Sequence, residues 1–163
     1  MEAMRRIEPR MRMKRLPASF VLVNLALTFF FGCLHQGGVI PSLAWLRDNV
    51  PAGTGAEGAI AVYYKTYPPP TFVSRYNAEL NILDFRLGQE QLMKYVKKSK
   101  CESQSHREVY IVTPTPVLNE LKNDYGSYYS VAKRIPWHLS TEDLPTKFDE
   151  LNLDIVVIKE DIC

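Results

Sequence analysis

Cysteine and histidine are scarce in this 163-residue sequence, which has three of each. Cys33, Cys101 and Cys163 are too few for a disulfide framework; Cys101 and Cys163 could pair in an oxidising compartment, and free thiols are the equal alternative. His106 and His138 stand alone in the sequence, and Cys101 with His106 supplies too few ligands for zinc. The sequence therefore predicts no metal site, and it assigns no function to either of these histidines.

An excess of one charge is also lacking, because 20 Lys and Arg residues are balanced by 18 Asp and Glu residues, with a net charge of +2. The small positive balance comes from the N-terminal arm, and no stripe of basic and aromatic residues follows, so we expect no nucleic-acid partner. The glycine spacing Gly53-x-Gly55-x-x-Gly58 precedes a predicted strand instead of opening a helix, so we predict no phosphate-binding loop and no cofactor. The sequence contains no Asn-x-Ser/Thr acceptor and no internal repeat.

A long apolar run is present, and basic residues precede it. Leu16 to Leu34 carries no charge and only three polar residues, whereas residues 5–15 contain six Arg and Lys residues. As an α-helix the run would extend roughly 28 Å at about 1.5 Å per residue, which is enough for one crossing of a bilayer. Because basic flanks stay preferentially in the cytoplasm, we predict a transmembrane helix over residues 16–35 with the remaining chain on the lumenal or exterior side.

Two alternatives stay open for the same segment. A basic region followed by an apolar region is also typical of a cleaved secretory signal peptide, although this apolar region is long and no small-x-small cleavage site follows it. In the second alternative, Phe31-Gly32-Cys33 is similar to the end of a bacterial lipoprotein signal, and Cys33 would carry the lipid. Phe30 and Phe31 fit that signal poorly.

The chain between the apolar run and residue 59 has two parts. Val39 to Val50 is short and amphipathic, and its Trp45 is typical of a membrane interface. Pro51 to Ala59 is rich in small residues and has no apolar anchor, as is usual for a linker. We therefore predict four regions: a basic cytoplasmic arm (1–15), the transmembrane helix (16–35), an interfacial segment with a linker (36–58) and a lumenal α/β domain (59–163).

After residue 59, strand-like and helix-like patterns alternate. β-Branched, aromatic or alternating apolar residues predict strands at Ile60–Tyr67, Leu80–Leu87, Val109–Thr113, Tyr128–Ile135 and Ile155–Ile158. Helical spacing and capping residues predict helices at Gln89–Lys98, Thr115–Gly126 and Pro145–Leu151. The predicted fold is thus a single transmembrane α-helix followed by a small α/β domain with a mostly parallel sheet, whose strand order the sequence does not specify.

One polar turn is a candidate binding site. His35-Gln36-Gly37-Gly38 lies where the predicted helix would leave the bilayer, so its hydrogen-bonding groups could meet a phosphate or a sugar near the membrane surface. The alternative, which we favour, is a helix end that satisfies its own carbonyls. The carboxylate pairs Glu142-Asp143 and Asp149-Glu150 are adjacent in sequence and point apart, which favours solvated or capping roles. Tyr63, Tyr64 and Tyr67 could stack on a sugar, but strand tyrosines more often pack on a sheet face.

Three stretches of the sequence stand out together. They are FFFGCLHQGGVIPSL (Phe29 to Leu43), IAVYYKTYPPPTFV (Ile60 to Val73) and VYIVTPTP (Val109 to Pro116). In order and spacing they resemble the C-terminal end of the GPI mannosyltransferase 4 family, a group of multi-span, dolichyl-phosphate-mannose-dependent enzymes within glycosyltransferase family 22. The resemblance runs from about Phe20 to the C-terminus.

This resemblance implies an endoplasmic-reticulum protein that adds a fourth, α-1,2-linked mannose to the third mannose of a GPI precursor. Dolichyl-phosphate-mannose would be the donor, and membrane lipid, the lipid-linked donor and the GPI precursor would be the partners. The family's acidic catalytic motif lies in an early lumenal loop that this sequence lacks, so we expect a C-terminal fragment without transferase activity of its own. No catalytic residue is carried over, and only His35 and Gln36 are predicted to support substrate binding.

A second functional class stays open beside the transferase. The same sequence is compatible with a membrane-tethered or lipid-anchored α/β domain that acts as a non-enzymatic binding or accessory module. N-terminal sequencing of the mature protein separates the two, because an intact basic arm favours the anchored fragment and a start at Cys33 favours the lipoprotein.

Overall fold

The computed structural model describes residues 8–50, 58–70, 80–101, 107–159 and 162–163, with the backbone alone for residues 8–17. Its helices are α1 (Glu8–Phe29), α2 (Val39–Asn49), α3 (Gln89–Cys101) and α4 (Thr115–Tyr125). Its strands are β1 (Ile60–Tyr64), β2 (Asn81–Phe85), β3 (Val109–Pro114), β4 (Tyr129–Pro136) and β5 (Asn152–Ile158). A π-helical turn (Phe30–Leu34) follows α1, and a single 3₁₀ turn (Phe148–Glu150) precedes β5.

The five strands form one sheet in the order β2-β1-β3-β5-β4. Strands β2, β1 and β3 are parallel, whereas β5 runs antiparallel to both of its neighbours, β3 and β4. The sheet is therefore mixed, and the prediction of a mostly parallel sheet is wrong. A parallel return from β4 needs a crossover that is usually a helix, and the predicted helix at Pro145–Leu151 is only the short 3₁₀ turn. Strand β5 consequently enters the sheet in the opposite direction.

The core occupies both faces of the sheet, because successive strand side chains point to opposite sides. On one face, Val62 and Ile111 pack with Leu92 of α3 and Leu118 of α4. On the other face, Ala61, Tyr63 and Val112 pack with Leu43 and Leu46 of α2. The amphipathic face of α2 is thus buried against the sheet, and the ring of Trp45 lies 6.5 Å from that of Tyr110.

The predicted transmembrane helix is not found. Among the described residues, no helix combines the length and the apolarity that a bilayer crossing requires. The apolar run is divided between two elements. Its first fourteen residues (Leu16–Phe29) belong to α1 and extend about 21 Å at about 1.5 Å per residue, and its last five form the π-helical turn. The first half of α1 carries Arg10, Arg12, Lys14 and Arg15, which shortens its uncharged part.

Most of the other predicted elements are confirmed within one to three residues. Strand β1 is three residues shorter than the predicted Ile60–Tyr67, because it ends at Tyr64 and Lys65 turns the chain with a φ of 50°. The predicted linker lies mostly outside the described residues, as do residues 1–7 of the basic arm and His106. The four predicted regions stay a prediction.

Candidate functional site

The carboxyl ends of four strands meet at one edge of the sheet. Strands β1, β2 and β3 are parallel, and β4 runs in the same direction because β5 separates it from β3 as an antiparallel strand. Open α/β sheets bind ligands at this edge, since the loops that follow the strands converge there. We call the residues that converge here the edge cluster; they are His35–Gly38, Lys65, Thr66 and Trp137–Asp143.

The His35–Gly38 turn is built into this edge by backbone pairing. Gln36 N–H donates to the Leu139 carbonyl at 3.2 Å, and Leu139 N–H donates to the Leu34 carbonyl at 2.9 Å. The hydroxyl of Thr66 donates to Oε1 of Gln36 at 2.8 Å, which attaches the turn to the end of β1. The side-chain carbonyl of Gln36, one of the two predicted binding residues, is therefore used in a hydrogen bond within the fold. Its amide group remains as a donor.

Three non-glycine residues of the described chain have positive φ, and all three lie in the edge cluster. They are Gln36 at 59°, Lys65 at 50° and Trp137 at 63°. Such conformations are uncommon outside glycine and are retained where the surrounding structure over-determines them, often at binding or catalytic sites. Their concentration at a single sheet edge marks this edge as the candidate site.

His138 lies directly beneath the turn. It is 1% exposed, and Gly38 N–H donates to its Nδ1 at 3.3 Å, so the neutral ring carries its proton on Nε2. No described residue hydrogen-bonds to that Nε2, or to Nδ1 of His35. Burial and the nearby His35 charge lower the pKa of His138 to about 4. The ring is therefore neutral at physiological pH.

This depressed pKa predicts an acid-sensitive fold. The unfolded chain binds a proton at His138 as the pH falls below 6.5, whereas the folded chain does so only near 4. The stability contribution of neutral His138 is therefore complete above pH 6.5 and is lost as the pH falls towards 4, by about 3 kcal/mol in total.

The substitution His138→Asn tests this prediction, because asparagine keeps an acceptor for Gly38 N–H and does not titrate. Urea titrations at several pH values should show the free energy of unfolding of the wild type falling relative to that of the variant as the pH falls from 6.5 towards 4. A difference that does not change with pH would contradict the assignment.

A polar pocket opens beside the turn. Lys65, Arg86, Glu142 and Asp143 line a cavity of about 260 Å³. Lys65 Nζ donates to Asp143 Oδ1 at 3.2 Å and lies 3.9 Å from Glu120 Oε2. Burial alone would lower the pKa of Lys65, but the hydrogen bond and charge of Asp143, with the charge of Glu120, raise it. Lys65 therefore stays cationic.

An ion pair between a buried carboxylate and a half-exposed arginine lies at the beginning of α4, on the same edge. Asp154 of β5 is 0% exposed, and its carboxylate accepts from Thr115 Oγ1 at 2.6 Å and from Arg134 Nε at 2.7 Å. These contacts connect β5, β4 and α4, so the Asp154 carboxylate stabilises the packing of these elements. The geometry gives Asp154 a structural role.

A second buried contact connects α2 to the sheet. The hydroxyls of Ser42 and Tyr63 are 2.9 Å apart, and Ser42 also donates to the Val39 carbonyl at 2.6 Å. Burial raises the pKa of Tyr63 to about 12, because the Ser42 hydrogen bond offsets desolvation only in part. Tyr63 is therefore an uncharged core residue that fixes the start of α2 over β1.

The structure thus brings together residues that the sequence left apart. His35 and Gln36 were predicted, but His138 and Lys65 were not, and Asp143 was assigned a solvated role. His138 lies one hundred residues from Gly38 in the chain, so no spacing rule connects them. In the described part of the chain, no group of three His, Cys, Asp or Glu residues is arranged to hold a metal ion.

Comparison with known proteins gives three matches of the same name. GPI mannosyltransferase 4 of Yarrowia lipolytica is 39% identical over 62 residues, which is 37% of this chain and 11% of that protein. The Candida albicans protein of this name is 23% identical over 137 residues, or 77% of this chain and 25% of that protein. The Debaryomyces hansenii protein of this name is 29% identical over 52 residues, which is 32% of this chain and 10% of that protein.

The predicted resemblance to GPI mannosyltransferase 4 is therefore confirmed. The chain spans a quarter or less of the length of these curated relatives. No protein-family model matches the chain, and no solved structure matches it.

Proposed function

We propose that this chain is part of a GPI-anchor mannosyltransferase and corresponds to the C-terminal portion of that enzyme. The complete enzyme transfers an α-1,2-linked mannose from dolichyl-phosphate-mannose to the third mannose of the GPI precursor. The observation that carries this proposal is the set of matches to proteins named GPI mannosyltransferase 4 in three yeasts. The Candida albicans match extends over 77% of the chain, so it reaches well into the α/β layer.

Within the enzyme, the edge cluster supports substrate binding and does not make or break bonds. Two of its acid–base groups are already engaged, because Asp143 pairs with Lys65 and the neutral His138 accepts from Gly38 N–H. His35 and Gln36 contribute hydrogen-bonding groups beside the substrate, and the remaining part of the enzyme supplies the catalytic acid or base.

The proposed location is the endoplasmic reticulum membrane, with the α/β layer in the lumen. Cys101 and Cys163 form a disulfide, and disulfides persist in oxidising compartments such as this lumen. The side chains of residues 18–29 are all exposed, and the large apolar ones among them offer a surface for membrane lipid. Both observations support the location.

The isolated chain is expected to have no transferase activity. An assay supplies dolichyl-phosphate-mannose and a three-mannose GPI acceptor to the purified chain, and the product is followed by chromatography of radiolabelled glycolipid. Turnover by the chain alone would refute the assignment of the catalytic groups to the rest of the enzyme.

A chimera tests the function itself. This chain replaces the matching region of the Candida albicans protein, and the chimera is expressed in yeast cells that lack their own fourth-mannose transferase. We expect the cells to make four-mannose GPI precursors again, because the chain supplies the same part of the enzyme. The unaltered Candida albicans protein is the positive control. A chimera that accumulates in the membrane to the control level and adds no mannose would contradict the proposal.

A further inference from the structure

Exposed apolar side chains are concentrated at the carboxyl edge of the sheet. Outside residues 18–34, the described part of the chain exposes eight large apolar side chains. Single exposed apolar residues are normal at a protein surface, so it is their distribution that matters. Two of the eight, Tyr128 and Val131, lie at the amino end of β4. The other six lie at the carboxyl edge, and we call them the apolar rim: Ile40, Tyr67, Leu87, Trp137, Leu144 and Phe148.

Three members of the apolar rim follow the first two strands and the polar turn. Tyr67 and Leu87 closely follow the carboxyl ends of β1 and β2. Ile40 lies in the first turn of α2, directly after the His35–Gly38 turn. Because the Thr66 hydroxyl attaches that turn to the end of β1, the beginning of α2 belongs to the same edge.

The other three members lie in the segment that connects β4 to β5. Both ends of this segment are at the carboxyl edge, because β5 is antiparallel to β4. His138 N–H donates to the Leu151 carbonyl at 3.2 Å, and Leu151 N–H donates to the Phe148 carbonyl at 3.3 Å. Trp137 and Phe148 therefore lie on neighbouring turns, and their side chains are 65% and 92% exposed.

The apolar rim is continuous with the apolar run of the sequence. Leu139 N–H donates to the Leu34 carbonyl at 2.9 Å, so the last residue of the run is fixed to the segment that carries Trp137. Gly37 also lies against this segment, since a Cβ at residue 37 would be 2.5 Å from the Trp137 carbonyl oxygen. The side chains of residues 18–29 are exposed, and none in the π-helical turn is buried. A partner that covers the apolar run therefore also meets the apolar rim.

The arrangement of the rim fits a lipid bilayer better than a protein partner. Its six side chains project from four separate segments of the described chain, with charged residues between them. The core of a protein interface is a closely packed apolar patch from which charged residues are depleted. The headgroup region of a bilayer accepts separate apolar side chains beside charged ones, and tryptophan and tyrosine are enriched there.

Charge pairing at this edge favours a bilayer without net charge. Lys65 Nζ lies 3.2 Å from Asp143 Oδ1, directly before Leu144 in the chain, and Arg86 Nε lies 3.1 Å from Asp84 Oδ2. Anionic headgroups would compete with Asp143 and Asp84 for these two cations, whereas zwitterionic headgroups leave both pairs intact.

We infer that the carboxyl edge of the sheet lies on the surface of a zwitterionic bilayer, with Trp137, Leu144 and Phe148 inserted among the headgroups and the upper acyl chains. This inference rests on the proposed function for its placement of residues 18–29 against membrane lipid. It turns the edge cluster towards the membrane, where a lipid-linked donor and a lipid-anchored acceptor are held. His35 and Gln36 then meet these substrates at the membrane surface.

Quenching of single tryptophans by brominated lipid tests this contact. The sequence has two tryptophans, so Trp45→Phe in the full 163-residue chain leaves Trp137 as the only one. This chain is reconstituted into phosphatidylcholine vesicles whose acyl chains carry bromine close to the headgroup. We expect the bromine to lower the Trp137 emission by about half, because an interfacial tryptophan lies at headgroup depth. The converse variant, Trp137→Phe, reports on Trp45, which packs against Tyr110 and should be quenched little.

A second probe position on the rim has a matched control away from it. In the chain that lacks both native tryptophans, Phe148→Trp places the probe on the apolar rim, and Tyr128→Trp places it at the amino end of β4. Each substitution exchanges one exposed aromatic side chain for another, so the melting temperature should stay unchanged. We expect the tryptophan at 148 to be quenched as strongly as Trp137, and the tryptophan at 128 to be unaffected.

Three results would overturn the inference. In the first, Trp137 is not quenched although the chain sediments with the vesicles. In the second, the probe at 128 is quenched as strongly as the probe at 148, which would remove the preference for the carboxyl edge. In the third, the Trp137 emission moves to shorter wavelength without quenching, which would mean that a second copy or another protein surface covers the rim.

The membrane contact and the proposed function fail in different ways. A chimera that adds the fourth mannose, while Trp137 of the vesicle-bound chain is not quenched, would refute the membrane contact alone. Quenching at both rim positions, combined with an inactive but membrane-resident chimera, would retain the membrane contact and refute the transferase assignment.

Discussion

Gly37→Ala is expected to lower the free energy of unfolding by about 4 kcal/mol, which is at the upper end for a single substitution. A Cβ at residue 37 would collide with the Cys33 carbonyl oxygen and lie 2.5 Å from the Trp137 carbonyl oxygen. Both atoms are backbone, so relief requires movement of the π-helical turn or of the end of β4. Because Gly37 N–H also donates to the Leu34 carbonyl, the turn cannot move without losing that hydrogen bond.

Gly32→Ala is the matched control for this substitution. It lies in the same π-helical turn, and its added Cβ would meet nothing within 4 Å. We expect a change of about 0.5 kcal/mol in the stabilising direction, since alanine loses less conformational entropy than glycine on folding. Urea unfolding followed by tryptophan fluorescence measures both variants. Equal stability of the two would show that the turn does not dock as described.

Arg134→Met is expected to destabilise the fold by about 2 to 3 kcal/mol, because it leaves the Asp154 carboxylate buried without its cation. The Arg134 side chain is itself half exposed, so solvent screening reduces the cost below that of a fully buried pair. Asp154 is 0% exposed, and among the described residues the Thr115 hydroxyl would remain as its side-chain hydrogen-bond partner after the substitution. Asp154→Asn removes the buried charge as well as the ion pair, so its cost should be smaller, about 1 to 2 kcal/mol. Urea unfolding of the two variants shows which substitution lowers the free energy of unfolding more.

An exposed pair provides the control for this ion pair. Arg47 Nε lies 2.8 Å from Asp48 Oδ1, and here the carboxylate is more than half exposed, whereas that of Asp154 is buried. Arg47→Met should change the free energy of unfolding by about 0.5 kcal/mol or less. If Asp154→Asn cost more than Arg134→Met, the buried charge would not be the source of the penalty. Similar losses of unfolding free energy for Arg134→Met and Arg47→Met would also contradict a penalty from the buried charge.

Local patterns in the sequence located most elements of the α/β layer. The run Val109–Thr113 and the run Ile155–Ile158 are apolar on both faces, and both become central strands that are covered on each side. Thr115-Pro116 marks the start of α4, since proline fits the first helical turn. These predictions succeeded because each one depends on neighbouring residues alone.

The candidate site was predicted only in part, because its members come from distant segments. His35 and Gln36 were predicted from a polar turn after an apolar run, and their role in binding stays a prediction. The hydrogen-bond partners of Gln36, Thr66 and Leu139, are known only from the tertiary structure. Hydrogen bonding of buried tyrosines also leaves no pattern in the sequence. The hydroxyl of Tyr63 pairs with Ser42, whereas that of the neighbouring Tyr64 has no partner among the described residues.

The amino-acid sequence by itself determined the positions of the strands and of helices α3 and α4, the polar turn at His35–Gly38 and the resemblance to GPI mannosyltransferase 4. Periodicity, capping and turn residues act over a few positions, so they can be read along the chain. Only the tertiary structure decided the direction of β5, the division of the apolar run between α1 and the π-helical turn, and the meeting of Gln36, Lys65 and His138 at one edge. These features depend on which surfaces pack together, and packing energies between segments up to one hundred residues apart leave no local pattern.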